Sequence, residues 1–190
     1  IIHNEENIFA NLRGMLPKEA WAVQADYNGE HASTLIAAIK RYFDLTLSTQ
    51  ETWRRNSAAA FAYLRGDAAT GALNEMAASV VLWNDTARLE TVQRSLTSAQ
   101  LVRLKTLDGA DAILTDVRDD IDGVDRDVFD DLKAGDVGSA DARRLTQAVD
   151  KARETRGYKG GDAAFAAIRD ASQRAGNDTL SGADSLGLDT

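Results

Sequence analysis

The chain has 190 residues, 44% hydrophobic and 27% charged, which suffices for one or two packed domains and is ordinary for a soluble globular protein. A single proline predicts an all-helical chain, and the absence of cysteine excludes disulfides, thiolate catalysis and Cys-ligated zinc. The net charge of −8 is carried by one segment: from Asp108 to Asp136 there are eleven Asp against Arg118, Arg126 and Lys133, so the rest of the chain is neutral.

In chain order, Asn4 to Arg13 opens with an Asn cap and acidic first turn, places Ile8, Phe9 and Leu12 on one face, and stops at Gly14. Leu16-Pro17-Lys18-Glu19 starts a second helix, with Trp21, Val23, Ala25 and Tyr27 expected to keep it partly buried until Asn28-Gly29. Thr34 caps a third, whose Leu35, Ile36, Ile39 and Phe43 form an apolar stripe. Ser48 and Glu51 fit a capping box for a fourth, running to Arg65, with Trp53, Ala60, Phe61 and Leu64 directed inward. Its end, Arg65-Gly66-Asp67, matches a cell-adhesion tripeptide but is better read as a helix stop.

Two further helices are expected over 72–81 and 85–96, the second carrying Leu89, Val92 and Leu96. Thr97 to Gln100 then starts LVRLKTL, and Ala112 to Ile121 buries Ile113, Leu114, Val117 and Ile121. After the break at Asp122-Gly123, Asp125 to Lys133 buries Val128, Phe129 and Leu132 and ends at a second Gly-Asp, Gly135-Asp136. Ser139 is read as the cap of ADARRLTQAVDKARETR, followed by the loop GYKGG and a helix capped by Asp162. Beyond Arg174 the sequence turns small and polar, as disordered tails do.

The order is thus four helices, five, then two, with like helix starts and Gly-Asp stops recurring. A five-helix unit of this size resembles the annexin repeat, and LTQAVDKARETRGYKGGDAAFAAI is similar to that repeat's first helix, Gly-rich loop and second helix. The resemblance implies an all-α bundle of short helices arranged as annexin-like repeats. Residues 1–67 would supply helices B to E of a first repeat, 68–138 a complete second, and 139–174 the start of a third, with 175–190 a flexible tail.

Annexin calcium sites combine a Gly-rich loop between the first two helices with a carboxylate between the fourth and fifth, an all-oxygen cage that suits Ca²⁺. In the second repeat that loop is Val81-Leu82-Trp83-Asn84-Asp85, which lacks the glycines, while Asp120 and Asp122 stand at the later turn. The third keeps Gly160, Gly161 and Asp162. Candidate Ca²⁺ ligands are therefore Asp119, Asp120, Asp122 and Asp125 together with Gly160, Gly161 and Asp162. An EF-hand register fails, since Val124 and Asp125 occupy the fifth and sixth places counted from Asp120. The ordinary alternative for these carboxylates is a solvated surface with helix caps.

No catalytic motif is present, and His3 and His31 are distant in sequence. Nor is there a concentrated basic face of the kind nucleic acid requires. The longest apolar run, Ala58 to Leu64, is far short of the roughly 20 residues that span a bilayer. Trp21, Trp53 and Trp83 are expected in packing, with Trp83 the candidate for membrane or partner contact because it falls in a loop. The expectation is a soluble, non-catalytic module of a larger bacterial protein, in the cytoplasm or secreted, that contacts a protein partner or neighbouring domains. The alternative is Ca²⁺-dependent peripheral binding to anionic phospholipid.

Overall fold

The computed structural model describes residues 5–31, 33–45, 50–81, 84–154 and 169. Every regular element among them is a helix: α1 (Glu5–Leu12), α2 (Pro17–Glu30), α3 (Leu35–Leu45), α4 (Gln50–Leu64), α5 (Ala68–Val80), α6 (Thr86–Arg94), α7 (Ser98–Lys105), α8 (Ala110–Asp119), α9 (Gly123–Ala134) and α10 (Val137–Glu154). None of these is long and apolar enough to cross a membrane. The chain forms two compact units, residues 1–121 and 122–190. The Asn4 and Ser48 caps and the helix expected after Asp162 lie outside the described residues.

In the first unit, α5 is the central element. It packs on α4, α6, α7 and α8, and nine of its thirteen residues are buried. Those residues are mainly Ala, Gly and Leu, so the helix is surrounded rather than one-faced, and small side chains let α4 approach closely. On the other side of α4, the core gathers Phe9 and Leu12 from α1, Ile39 and Phe43 from α3, and Ala59, Ala60, Tyr63 and Leu64 from α4. The Phe9 and Phe43 rings stack with centroids 6.0 Å apart, and Tyr63 meets Phe9 edge-on at 6.3 Å. In the second unit, Val128 and Leu132 of α9 close on Ala140 of α10, with Val124 and Val137 alongside. The inward stripes expected for α8 and α9 are observed, since Leu114, Val117, Ile121, Val128, Phe129 and Leu132 are buried and Ile113 is half-buried; on α3 Ile39 and Phe43 are buried and Leu35 half-buried, but Ile36 is exposed.

The two Gly-Asp stops build the same connector. Gly66 and Gly135 take positive φ of 76° and 88°, which glycine alone enters without strain. Gly66 N–H donates to Tyr63 O and Asp67 N–H to Ala62 O; Gly135 N–H donates to Leu132 O and Asp136 N–H to Asp131 O. The aspartate then opens the following helix. Asp67 accepts from the Thr70 amide at 3.3 Å and hydroxyl at 2.8 Å, and Asp136 does the same with Ser139 at 3.0 and 2.7 Å. This shifts two expected boundaries. α5 starts at residue 68 rather than 72, because Asp67 is a cap as well as a stop. The cap of α10 is Asp136, with Ser139 as its donor, not Ser139 itself. Thr34 caps as expected, accepting from the amide of Ala37, and Thr97, read as part of a helix start, is the cap of α7 and accepts from the amide of Gln100.

Burial works against the Asp67 charge, but the Thr70 hydrogen bonds and Arg103 outweigh it and hold its carboxyl below the ordinary range. The folded state therefore binds fewer protons here than the unfolded chain, and stability rises with pH. The contribution is complete at neutral pH and is lost as pH falls below about 4, the unfolded Asp value. Asp67→Ala is expected to cost about 1 kcal/mol at pH 7 and to flatten the acid limb of a melting-temperature profile. A second expectation concerns Gly71, where an added Cβ would meet the Tyr63 ring at 2.7 Å. Alanine is the better helix former by nearly 1 kcal/mol, yet overpacking costs more, so Gly71→Ala should destabilise by about 1–2 kcal/mol in urea unfolding.

Candidate functional site

Among the described residues, the largest concentration of buried polar chemistry lies around Glu75, which is fully buried on α5. Its Oε1 accepts from Arg13 at 2.5 Å and from Arg88 Nε at 3.0 Å. Oε2 accepts from Arg13 Nε at 3.1 Å and from the Tyr63 hydroxyl at 3.0 Å. Arg13, at the end of α1, uses its remaining edge as a fork on Glu6 at 2.6 and 2.8 Å. Arg88 on α6 also donates to Asn56 at 3.0 Å, and its guanidinium carbon lies 4.6 Å from the Phe9 ring centroid. Four helices thus meet on one carboxylate.

Desolvation disfavours the Arg13 charge, but hydrogen bonds and attraction from Glu75 and Glu6 prevail and push its pKa above the ordinary value. Burial, reinforced by the Glu75 charge, pushes the Tyr63 phenol up as well. Glu75 already accepts four hydrogen bonds, two on each oxygen, which fills the lone-pair sites of a carboxylate. The cluster is arranged to hold helices together, with no lone pair left over for a substrate proton. The sequence carried a signal for it that the periodicity reading passed over. Glu75 is the single charge within the apolar run of α5, and a charge in such a place needs a partner.

The acidic stretch is divided between the units. In the first, Asp119 and Asp120 are exposed at the end of α8, and the Asp120 carbonyl accepts from the Asn84 side chain. In the second, Asp122 is exposed at the N-cap of α9 without a side-chain cap bond, while Asp125 pairs with Arg144 of α10 at 2.6 Å. Asp127 and Asp131 of α9 are bridged by Arg143 at 3.1 and 2.6 Å. The α9 carboxylates therefore face arginines on the next helix, an arrangement that spacing along the acidic segment alone did not reveal. Among the described residues no three His, Cys, Asp or Glu side chains gather as a metal would need. Trp83, Gly160, Gly161 and Asp162 lie outside the described residues. His31 stacks on Tyr27 at the end of α2, 4.0 Å between centroids.

The burial expected for α2 is overturned. Trp21 is 78% exposed, and Leu16 and Val23 are also open, at 62% and 42%. Only Ala20 of α2 is buried. Residues 21, 23, 25 and 27 alternate with period two, which on a helix scatters them to opposite sides instead of forming a stripe. Arg65-Gly66-Asp67 is a helix stop and cap as expected, with Asp67 also 3.5 Å from Arg103.

Removing the Glu75 carboxylate would leave Arg13 and Arg88 to share the half-exposed Glu6 as counter-charge, so Glu75→Ala should cost about 3 kcal/mol. Tyr63→Phe removes one hydrogen bond to a charged acceptor and should cost about 1.5–3 kcal/mol. Urea denaturation of the two variants checks both magnitudes and their order. Compared with known protein families, curated proteins and solved structures, the chain gives no match.

Proposed function

We propose that the chain is a non-catalytic module of annexin-like helical repeats within a larger bacterial protein, acting in protein interaction or assembly. The helix order supports the repeat reading: four helices, then five, then α10, with the same hydrogen-bonded Gly-Asp connector before α5 and before α10. The interaction role rests on one observation above others, the exposure of Trp21 on α2, 78% open to solvent. A tryptophan that contributes little to its own core is an efficient anchor for another protein, because it buries a large rigid area with little loss of side-chain freedom.

The test places a photo-crosslinking amino acid at position 25, exposed and one turn from Trp21 on the same face of α2, in cells producing the protein, then purifies the captured protein and titrates it against wild type and Trp21→Ser. Binding weakened about tenfold or more, with unchanged helical circular dichroism, is the expected result. In parallel, sedimentation with phosphatidylserine vesicles is compared in calcium and in chelator. Calcium-requiring co-sedimentation, with no protein partner sensitive to Trp21→Ser, would replace the interaction role by membrane attachment.

A further inference from the structure

An open depression of about 530 Å³ is lined on its α4 side by Glu51, Trp53, Arg54, Arg55, Ser57, Ala58 and Phe61, and on its α5 side by Asn74. That volume falls within the range of small-ligand sites. Two of its residues stand one turn apart on α4 with unmet polar atoms: Trp53 Nε1 and Ser57 Oγ are covered from water and have no hydrogen-bond partner among the described residues. Ser57 is only 6% exposed. Buried polar groups in folded proteins are nearly always paired, so two orphans side by side at one depression are unusual. The charged residues beside them are two cations, Arg54 and Arg55, and one carboxylate, the exposed Glu51, which leaves a net positive charge. Arg54 is exposed and has no ion pair among the described residues, and Arg55 is held only loosely, 3.9 Å from Glu51.

An indole N–H can only donate, a hydroxyl can donate, and guanidinium groups only donate. The surplus of donors calls for an acceptor that carries negative charge. Phe61 and the half-buried Trp53 supply flat apolar surface beside it. We propose that this depression binds a carboxylate carried on a planar apolar body, as in a free aromatic acid or the last residue of a peptide ending in Phe. The carboxylate takes hydrogen bonds from Ser57 Oγ and Trp53 Nε1 and faces Arg54, while the ring lies against Phe61. Entry requires the Trp53 side chain to turn out of its present rotamer and uncover both donors. The site goes beyond the interaction role proposed for α2 and stands or falls separately from it.

The rotamer change provides the readout. In the full chain carrying Trp21→Phe and Trp83→Phe, Trp53 is the remaining one of the three tryptophans. Its emission is followed during titration with 3-phenylpropanoate, with N-acetylphenylalanine, and with the neutral amide 3-phenylpropanamide. The expected result is a saturable change with at least one acid, about tenfold weaker or more for the amide, and about tenfold weaker or more in Ser57→Ala and in Arg54→Gln. Whether the first or the second acid binds more tightly distinguishes a free-acid site from a peptide terminus site. The melting temperature of Ser57→Ala should equal or exceed that of its parent, since the hydroxyl has no partner to lose. No saturable change with either acid, equal binding of acid and amide, binding indifferent to both substitutions, or a lowered Ser57→Ala melting temperature would each overturn the proposal.

Discussion

The first unit is organised by a charge that has nowhere else to go. Glu75 sits midway along α5, which has nine buried residues, and its carboxylate is wholly removed from water. An ion in that position is tolerable only when surrounded by donors. The donors come from α1, α4 and α6, so the requirement fixes where those helices must stand. The aromatic core beside it follows the same geometry, because Phe9 lies under Arg88 and meets Tyr63 edge-on. The apolar contacts supply the driving force for collapse, while the carboxylate selects one arrangement among the many that would bury similar area.

How much of this was legible depended on the kind of signal. Stripes at helical spacing read well: Leu114 and Val117 on α8, or Val128, Phe129 and Leu132 on α9, lie where their spacing puts them. α5 read less well. A helix enclosed on most sides has no polar face to contrast with its apolar one, and its start was hidden because Asp67 serves two helices at once. α2 misled in the opposite direction, since its aromatic and aliphatic residues suggest burial while their alternate spacing forbids it.

Polar constellations were harder still. The acidic run between Asp108 and Asp136 drew attention because it is contiguous, yet within the second unit Asp125, Asp127 and Asp131 are met by Arg143 and Arg144 from the next helix. The cluster around Glu75 is assembled from residues between Glu6 and Arg88 and leaves almost no local trace. Contiguity in sequence is a poor guide to convergence in space. A solitary charge in an apolar helix is the better one.

Sharing a single carboxylate among three donor side chains also bears on how the sequence can drift. Replacing Arg13, Tyr63 or Arg88 alone leaves an acceptor unfilled, and replacing Glu75 alone leaves two cations to the single carboxylate of Glu6. An apolar set of similar volume at all four positions is a viable alternative core, but no path of single neutral steps leads to it. Positions 13, 63, 75 and 88 therefore behave as one inherited unit, kept together or exchanged together.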